Sequence, residues 1–111
     1  MTHPSKRKGN GFEREVVSAF SERTGWTAER AYASNGKALG KDETVDVLAT
    51  FLLASELHPQ LAIQCKRRKA VAEWMQCNEH QDAVVYRGDG KPAYIAMPLS
   101  VFLDLIERVR Q

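Results

Sequence analysis

The chain has 111 residues, 43% of them hydrophobic and 27% charged, with a formal net charge of +2. That length suits one domain burying about two-thirds of the surface its unfolded form exposes, and the composition is that of a globular protein, not of a disordered or fibrous chain. The longest apolar run is far below the ~20 residues of a membrane span, and Lys6-Arg7-Lys8 is followed by Gly9-Asn10-Gly11 instead of an apolar signal core, so a cytoplasmic protein without a membrane partner is expected.

A first helix is predicted over residues 11–23, capped by Asn10. Val16, Val17 and Phe20 form its core stripe, and Glu13 falls on the same stripe, so an acid points toward the core side. A strand is predicted over 26–33, a glycine-bearing loop over 34–41, a second strand over 44–50 and a third over 61–66, with Pro59 marking the connection between the last two. A second helix is expected near 71–80, burying Val71, Trp74 and Met75. Residues 83–87 and 93–97 read as a hairpin around Gly88-Asp89-Gly90. The last helix starts after Pro98 with Ser100 as cap, and its inward stripe is Phe102, Leu105, Ile106 and Val109. There is no internal repeat or low-complexity linker.

The chemistry concentrates in two apolar segments, Val45-Asp46-Val47-Leu48 and Ile63-Gln64-Cys65-Lys66, whose glutamine lies 18 positions after the aspartate. Side chains alternate faces along a strand, so Gln64 and Lys66 share a face with roughly 7 Å between their Cα atoms. Aspartate is depleted from strands, and one between two valines demands water, a cation or a hydrogen-bond partner. An acid on a neighbouring strand would complete a pocket for one divalent ion and one phosphate. Structural roles stand beside this reading. Glu13 can close a capping box with Asn10, Asp46 can be solvated on an edge strand, and Gln64 and Lys66 can form the wet face of an amphipathic strand.

Charge distribution says more than net charge. Residues 1–44 carry eight Lys/Arg against six Asp/Glu, residues 45–71 four against two, and residues 72–111 four against six. The surplus lies in Lys6, Arg7 and Lys8, in Lys37 and Lys41, and in Lys66, Arg67, Arg68 and Lys69. Such runs are commonly solvated faces, but the last begins inside the candidate site, where phosphate would need neutralising. Cys65 and Cys77 form no paired motif, so reduced thiols are expected. Cys77 and His80 lack the second half of a zinc site.

Lys8-Gly9-Asn10-Gly11-Phe12-Glu13-Arg14-Glu15, Val45-Asp46-Val47 and Gln64-Cys65-Lys66, in this order and spacing, resemble the signature of archaeal-type Holliday junction resolvases within the PD-(D/E)xK nuclease superfamily. The resemblance is specific up to the third strand and less so beyond it. It implies an α/β, restriction-endonuclease-like single domain over residues 1–111, with a mixed central β-sheet flanked by helices. Asp46 corresponds to the motif aspartate, Lys66 to the motif lysine and Glu13 to the acid of the first helix. Gln64 departs from the usual glutamate, and Ser34 is the loosely mapped loop serine that assists the site.

The implied activity is Mg²⁺-dependent phosphodiester hydrolysis, with Mn²⁺ as a substitute metal and no small-molecule cofactor. Asp46, the Gln64 side-chain oxygen, the Cys65 backbone carbonyl and Glu13 would hold the ion, and Lys66 would orient water or stabilise the phosphorane. The implied partners are branched DNA, above all a four-way junction, and a second copy of the chain in a homodimer in a prokaryotic cell or phage-infected host. Two other readings stay open: a nuclease acting on linear, damaged or single-stranded DNA, and a noncatalytic nucleic-acid-binding module.

Overall fold

In the computed structural model, which describes residues 4–23, 25–31, 36–51 and 59–110 (without the side chains of residues 4–10, 36, 38, 109 and 110), the first helix, α1, spans Pro4–Ser21. It begins seven residues before the predicted start at residue 11. Proline suits the first helical turn, where its missing N–H would have no partner anyway, and the basic residues that follow are good helix formers. Asn10 therefore lies within the helix and does not cap it, which removes the capping-box explanation for Glu13.

The chain divides into two compact units, Met1–Arg67 and Arg68–Gln111. In the first, β1 (Trp26–Arg30), β2 (Val47–Phe51) and β3 (Gln60–Ile63) form an antiparallel sheet in the order β1-β2-β3. Trp26 opposes Phe51 and Arg30 opposes Val47 across the first pair, while Val47 opposes Ile63 across the second. Val16 and Phe20 of α1 are buried, and Phe20 meets Trp26 edge-on with ring centroids 5.1 Å apart. Trp26 in turn packs on Phe51 at 4.9 Å. These contacts place α1 on the face bearing Trp26, Ala28 and Arg30, because alternate residues of a strand share a face. Each such aromatic pair contributes about 0.5–1.5 kcal/mol beyond its buried area. Val47 and Ala49, both 0% exposed, complete the centre.

The second unit departs further from expectation. The predicted helix over 71–80 is a single 3-10 turn, Glu73–Met75, with Val71 and Trp74 exposed. Side-chain hydrogen bonds explain the difference. The Gln76 amide donates to the Val71 carbonyl at 3.2 Å, and Asn78 Oδ1 accepts from the His80 N–H at 2.9 Å, so both compete with helical bonding. The hairpin is present as β4 (Val84–Tyr86) and β5 (Tyr94–Ala96), shorter than predicted. Its connection uses Gly90 at φ 71°, a conformation glycine adopts without strain.

The last helix, α2, spans Leu99–Arg110. The Val101 and Phe102 N–H groups both donate to the Pro98 carbonyl, which leaves Ser100 inside the first turn instead of capping it. Leu103 is the buried residue, Phe102 and Ile106 are half-buried, and Leu105 is exposed. The inward stripe thus keeps the predicted Phe102 and Ile106 but takes Leu103 in place of Leu105, and the side chain of Val109 falls outside the description. The described residues are α/β, but they carry two separate antiparallel sheets where a mixed central sheet was expected.

Gly11 tests the length of α1. It sits in the helix interior with open space around the position a Cβ would take. Replacing it with alanine should stabilise the fold by about 0.5–1 kcal/mol, read as a higher denaturant midpoint with an unchanged slope. A lowered midpoint would contradict a continuous helix through this residue.

Candidate active site

Asp46 sits at the entrance to β2, and the turn before it is locally specified. Asp42 Oδ1 accepts from the Thr44 N–H at 2.9 Å and the Thr44 hydroxyl at 2.7 Å, and the Val45 N–H returns to the Asp42 carbonyl. These hydrogen bonds from Thr44 hold the Asp42 carboxyl below its ordinary pKa. The chain then enters Val45 and Asp46, both buried.

At Asp46 the strand is irregular. Its carbonyl accepts from the Ala31 N–H, just beyond β1, while its own N–H donates to the Ile63 carbonyl of β3, both at 2.8 Å. In a regular antiparallel ladder a residue directs both groups at the same neighbour. Val47 already opposes Ile63, so two successive residues address one partner, the arrangement of a β-bulge. Bulges re-aim a side chain and end regular pairing, and they recur next to active sites. Here the Asp46 carboxylate turns onto the backbone past β3, where Oδ2 accepts the Cys65 N–H at 2.8 Å.

Glu13 approaches from α1 and is only 4% exposed. Its Oε2 accepts from Arg30 Nε at 3.2 Å and lies 3.1 Å from Arg30 Nη2. Charge-assisted hydrogen bonds are worth about 1.5–3 kcal/mol when shielded, and the partly solvated guanidinium puts this pair toward the lower end. Glu13 and Asp46 are the buried charged residues among those described.

Cys65 registers both carboxylates. Burial, then the negative charges of Asp46 and Glu13, push its thiol from 9.0 up to about 11. The two acids, brought from a helix and a strand, therefore act on one thiol. Gln64 and Lys66, the flanking residues, are exposed, as are Lys37 and Lys69, while Lys41 is half-buried. Lys37 lies 3.6 Å from Glu43. Arg67 and Arg68 are exposed and engaged in interactions of their own. The predicted strand over 61–66 ends at Ile63, so Gln64 and Lys66 are held by irregular backbone. The backbone of Lys6, Arg7 and Lys8 is helical, their side chains lie outside the description, and Ser34 lies outside the described residues altogether.

Arg30 is the site residue that sequence reasoning missed. The signal was available. Trp26, Ala28 and Arg30 alternate onto one face, and an arginine ending an otherwise apolar strand face requires a carboxylate partner.

Among the described residues no three or more His, Cys, Asp or Glu side chains gather closely enough to cage an ion. A Mg²⁺ site needs fewer, because that ion keeps several waters and uses one or two carboxylates beside substrate phosphate. Glu13 and Asp46 are donors of that hard-oxygen kind and that number, so the residues present fit such an ion.

The thiol provides a direct check on this electrostatic neighbourhood. In the metal-free folded protein, alkylation of Cys65 followed by mass spectrometry should keep accelerating as the pH rises from 9 toward about 11, because the thiolate is the reactive form. In urea the rate should level off above about pH 9. Since the folded-state value is the higher, this group's contribution to stability is complete below pH 9 and is lost as the pH climbs through 11. A folded-state rate that levels off near pH 9 would contradict the placement of the thiol.

Residues 4–109 match the family model described as phage putative PDDEXK endonuclease, a span that takes in most of both units. No curated protein and no solved structure matches the chain significantly.

Proposed function

The chain belongs to the phage putative PDDEXK endonuclease family, and from that premise we propose that it is a Mg²⁺-dependent, structure-selective DNA endonuclease that resolves four-way junctions as a homodimer. The observation that carries the reading is the convergence of Glu13 and Asp46, two buried carboxylates from separate elements, on the neighbourhood of Cys65. Burying two acids requires a partner for each, here Arg30 and the Cys65 N–H, and a nuclease site gives that arrangement a purpose. The α/β core is read as restriction-endonuclease-like, acting in the cytoplasm of a prokaryotic or phage-infected cell.

Asp46 and Glu13 would hold the divalent ion, with the Gln64 side-chain oxygen and the Cys65 carbonyl as neutral donors. When bound, the ion supplies charge neutralisation at the phosphate and acidifies water. Lys66 would orient the attacking water and stabilise the charge of the pentacovalent phosphate, and its exposure leaves it accessible to DNA. Ser34, which precedes Asp46 in sequence, would assist. Lys6, Arg7, Lys8, Lys37, Lys41, Arg67, Arg68 and Lys69 would neutralise backbone phosphates and make affinity fall steeply with salt. Twofold symmetry of a dimer suits paired nicks across a junction.

A binding module that has lost cleavage is the second reading. It draws on Gln64, which removes a formal charge from the motif, and on the bonds that engage Glu13 with Arg30 and Asp46 with Cys65.

Incubation with a four-way junction and a matched linear duplex, with Mg²⁺ or EDTA, separates the readings. Symmetric, Mg²⁺-dependent nicks confined to the junction, lost in Lys66→Ala, are expected. Equal cutting of duplex would replace junction resolution with general nuclease activity, and binding without cleavage would favour the module. Gln64→Glu should bind Mg²⁺ about tenfold more tightly, because it restores a charged ligand; unchanged or weaker affinity would remove Gln64 from the metal site.

A further inference from the structure

Arg30 is a cation placed where the site has most need of negative charge. It ends β1 on the face that meets α1, and two of its guanidinium nitrogens, Nη2 and Nε, engage the same carboxylate oxygen, Glu13 Oε2, at 3.1 and 3.2 Å. The Glu13 side chain is 6% exposed and that of Arg30 27%. The acid is thus enclosed, while its partner is partly open to solvent. Sequence position adds a second consideration. With Gln64 in place of a glutamate, the residues assigned to the ion carry two negative charges, Glu13 and Asp46, and Arg30 offsets one of them.

We infer that Arg30 is a positioning residue that holds Glu13 charge-compensated until a divalent cation enters, and so sets the metal affinity of the site. The inference rests on the metal-dependent reading of Glu13 and Asp46. A guanidinium and a divalent ion cannot share one carboxylate oxygen closely without mutual repulsion, which at short range in a partly shielded site amounts to a substantial penalty. Metal entry therefore requires Arg30 to withdraw or to shift its grip. Without metal, the same pair keeps the buried carboxylate partnered and held in place. A purely structural salt bridge would behave differently: its loss would alter stability and leave metal affinity alone.

Mn²⁺ binding, measured by loss of the free-ion electron paramagnetic resonance signal, tests this on the full chain. Arg30→Gln should bind Mn²⁺ about tenfold more tightly than the parent, while Arg30→Lys, which retains the charge, should stay within about threefold of it. In the unaltered protein, the Arg30 Nε–H resonance should move during a Mg²⁺ titration with the midpoint of metal binding. Equal or weaker binding by folded Arg30→Gln, with the parent still binding, overturns this inference alone. Absence of Mn²⁺ binding by the parent and both variants overturns it together with the metal-dependent reading. Should Arg30→Gln not fold, the resonance decides: a stationary Arg30 signal at saturating Mg²⁺ also overturns the inference.

Discussion

Asp46 is tied to both neighbouring strands at once, and the site depends on that tether. Its carbonyl takes the Ala31 N–H, its N–H goes to Ile63, and its carboxylate takes the Cys65 N–H. A single residue thereby connects the segment after β1, the entry to β2 and the segment after β3. The cost of placing an acid among buried valines is offset by this bonding, since a buried carboxylate is tolerated only when hydrogen-bonded or paired. The irregular backbone at Asp46 lets one residue do this, and a regular ladder would direct its N–H and its carbonyl to the same strand.

The second acid is handled by charge. Glu13 extends the helical stripe that includes Val16 and Phe20, and Arg30 extends the strand face that begins with Trp26, so the hydrophobic packing of α1 on the sheet brings the ion pair together. The apolar contacts supply position and the ion pair supplies compensation. The result is a small polar cluster at the end of an apolar layer, with Cys65 held protonated by burial and by the two carboxylates. Such a cluster has the character of a functional site, where burial and neighbouring charges displace pKa values.

Much of the first unit was legible in the sequence. Periodicity located α1, the three strands and the acid on the helical stripe, and the anomaly of an aspartate between valines pointed to Asp46. What alternation does not encode is a bulge, because one extra residue changes which neighbour a backbone group addresses while leaving the hydrophobic pattern intact. The expectation that Gln64 and Lys66 continue a regular strand beside Asp46 failed for that reason: β3 ends at Ile63. In the second unit, Val71, Trp74 and Met75 have helical spacing, but Gln76 and Asn78 bond the local backbone instead. On α2, periodicity selected Leu105 for the inward stripe, whereas Leu103 is the buried residue and Leu105 is exposed.

The Asp46 carboxylate is proposed to serve chemistry as well as architecture, and Asp46→Asn separates the two. Asparagine keeps an oxygen that can accept the Cys65 N–H, so the fold should survive, but it removes the negative charge. The most direct measurement pairs the thermal midpoint of this variant with its Mg²⁺-dependent nicking of a four-way junction. A midpoint within a few degrees of the parent, about 1 kcal/mol at this size, with nicking abolished is the predicted result. A folded Asp46→Asn protein that nicks the junction as fast as the parent would contradict it.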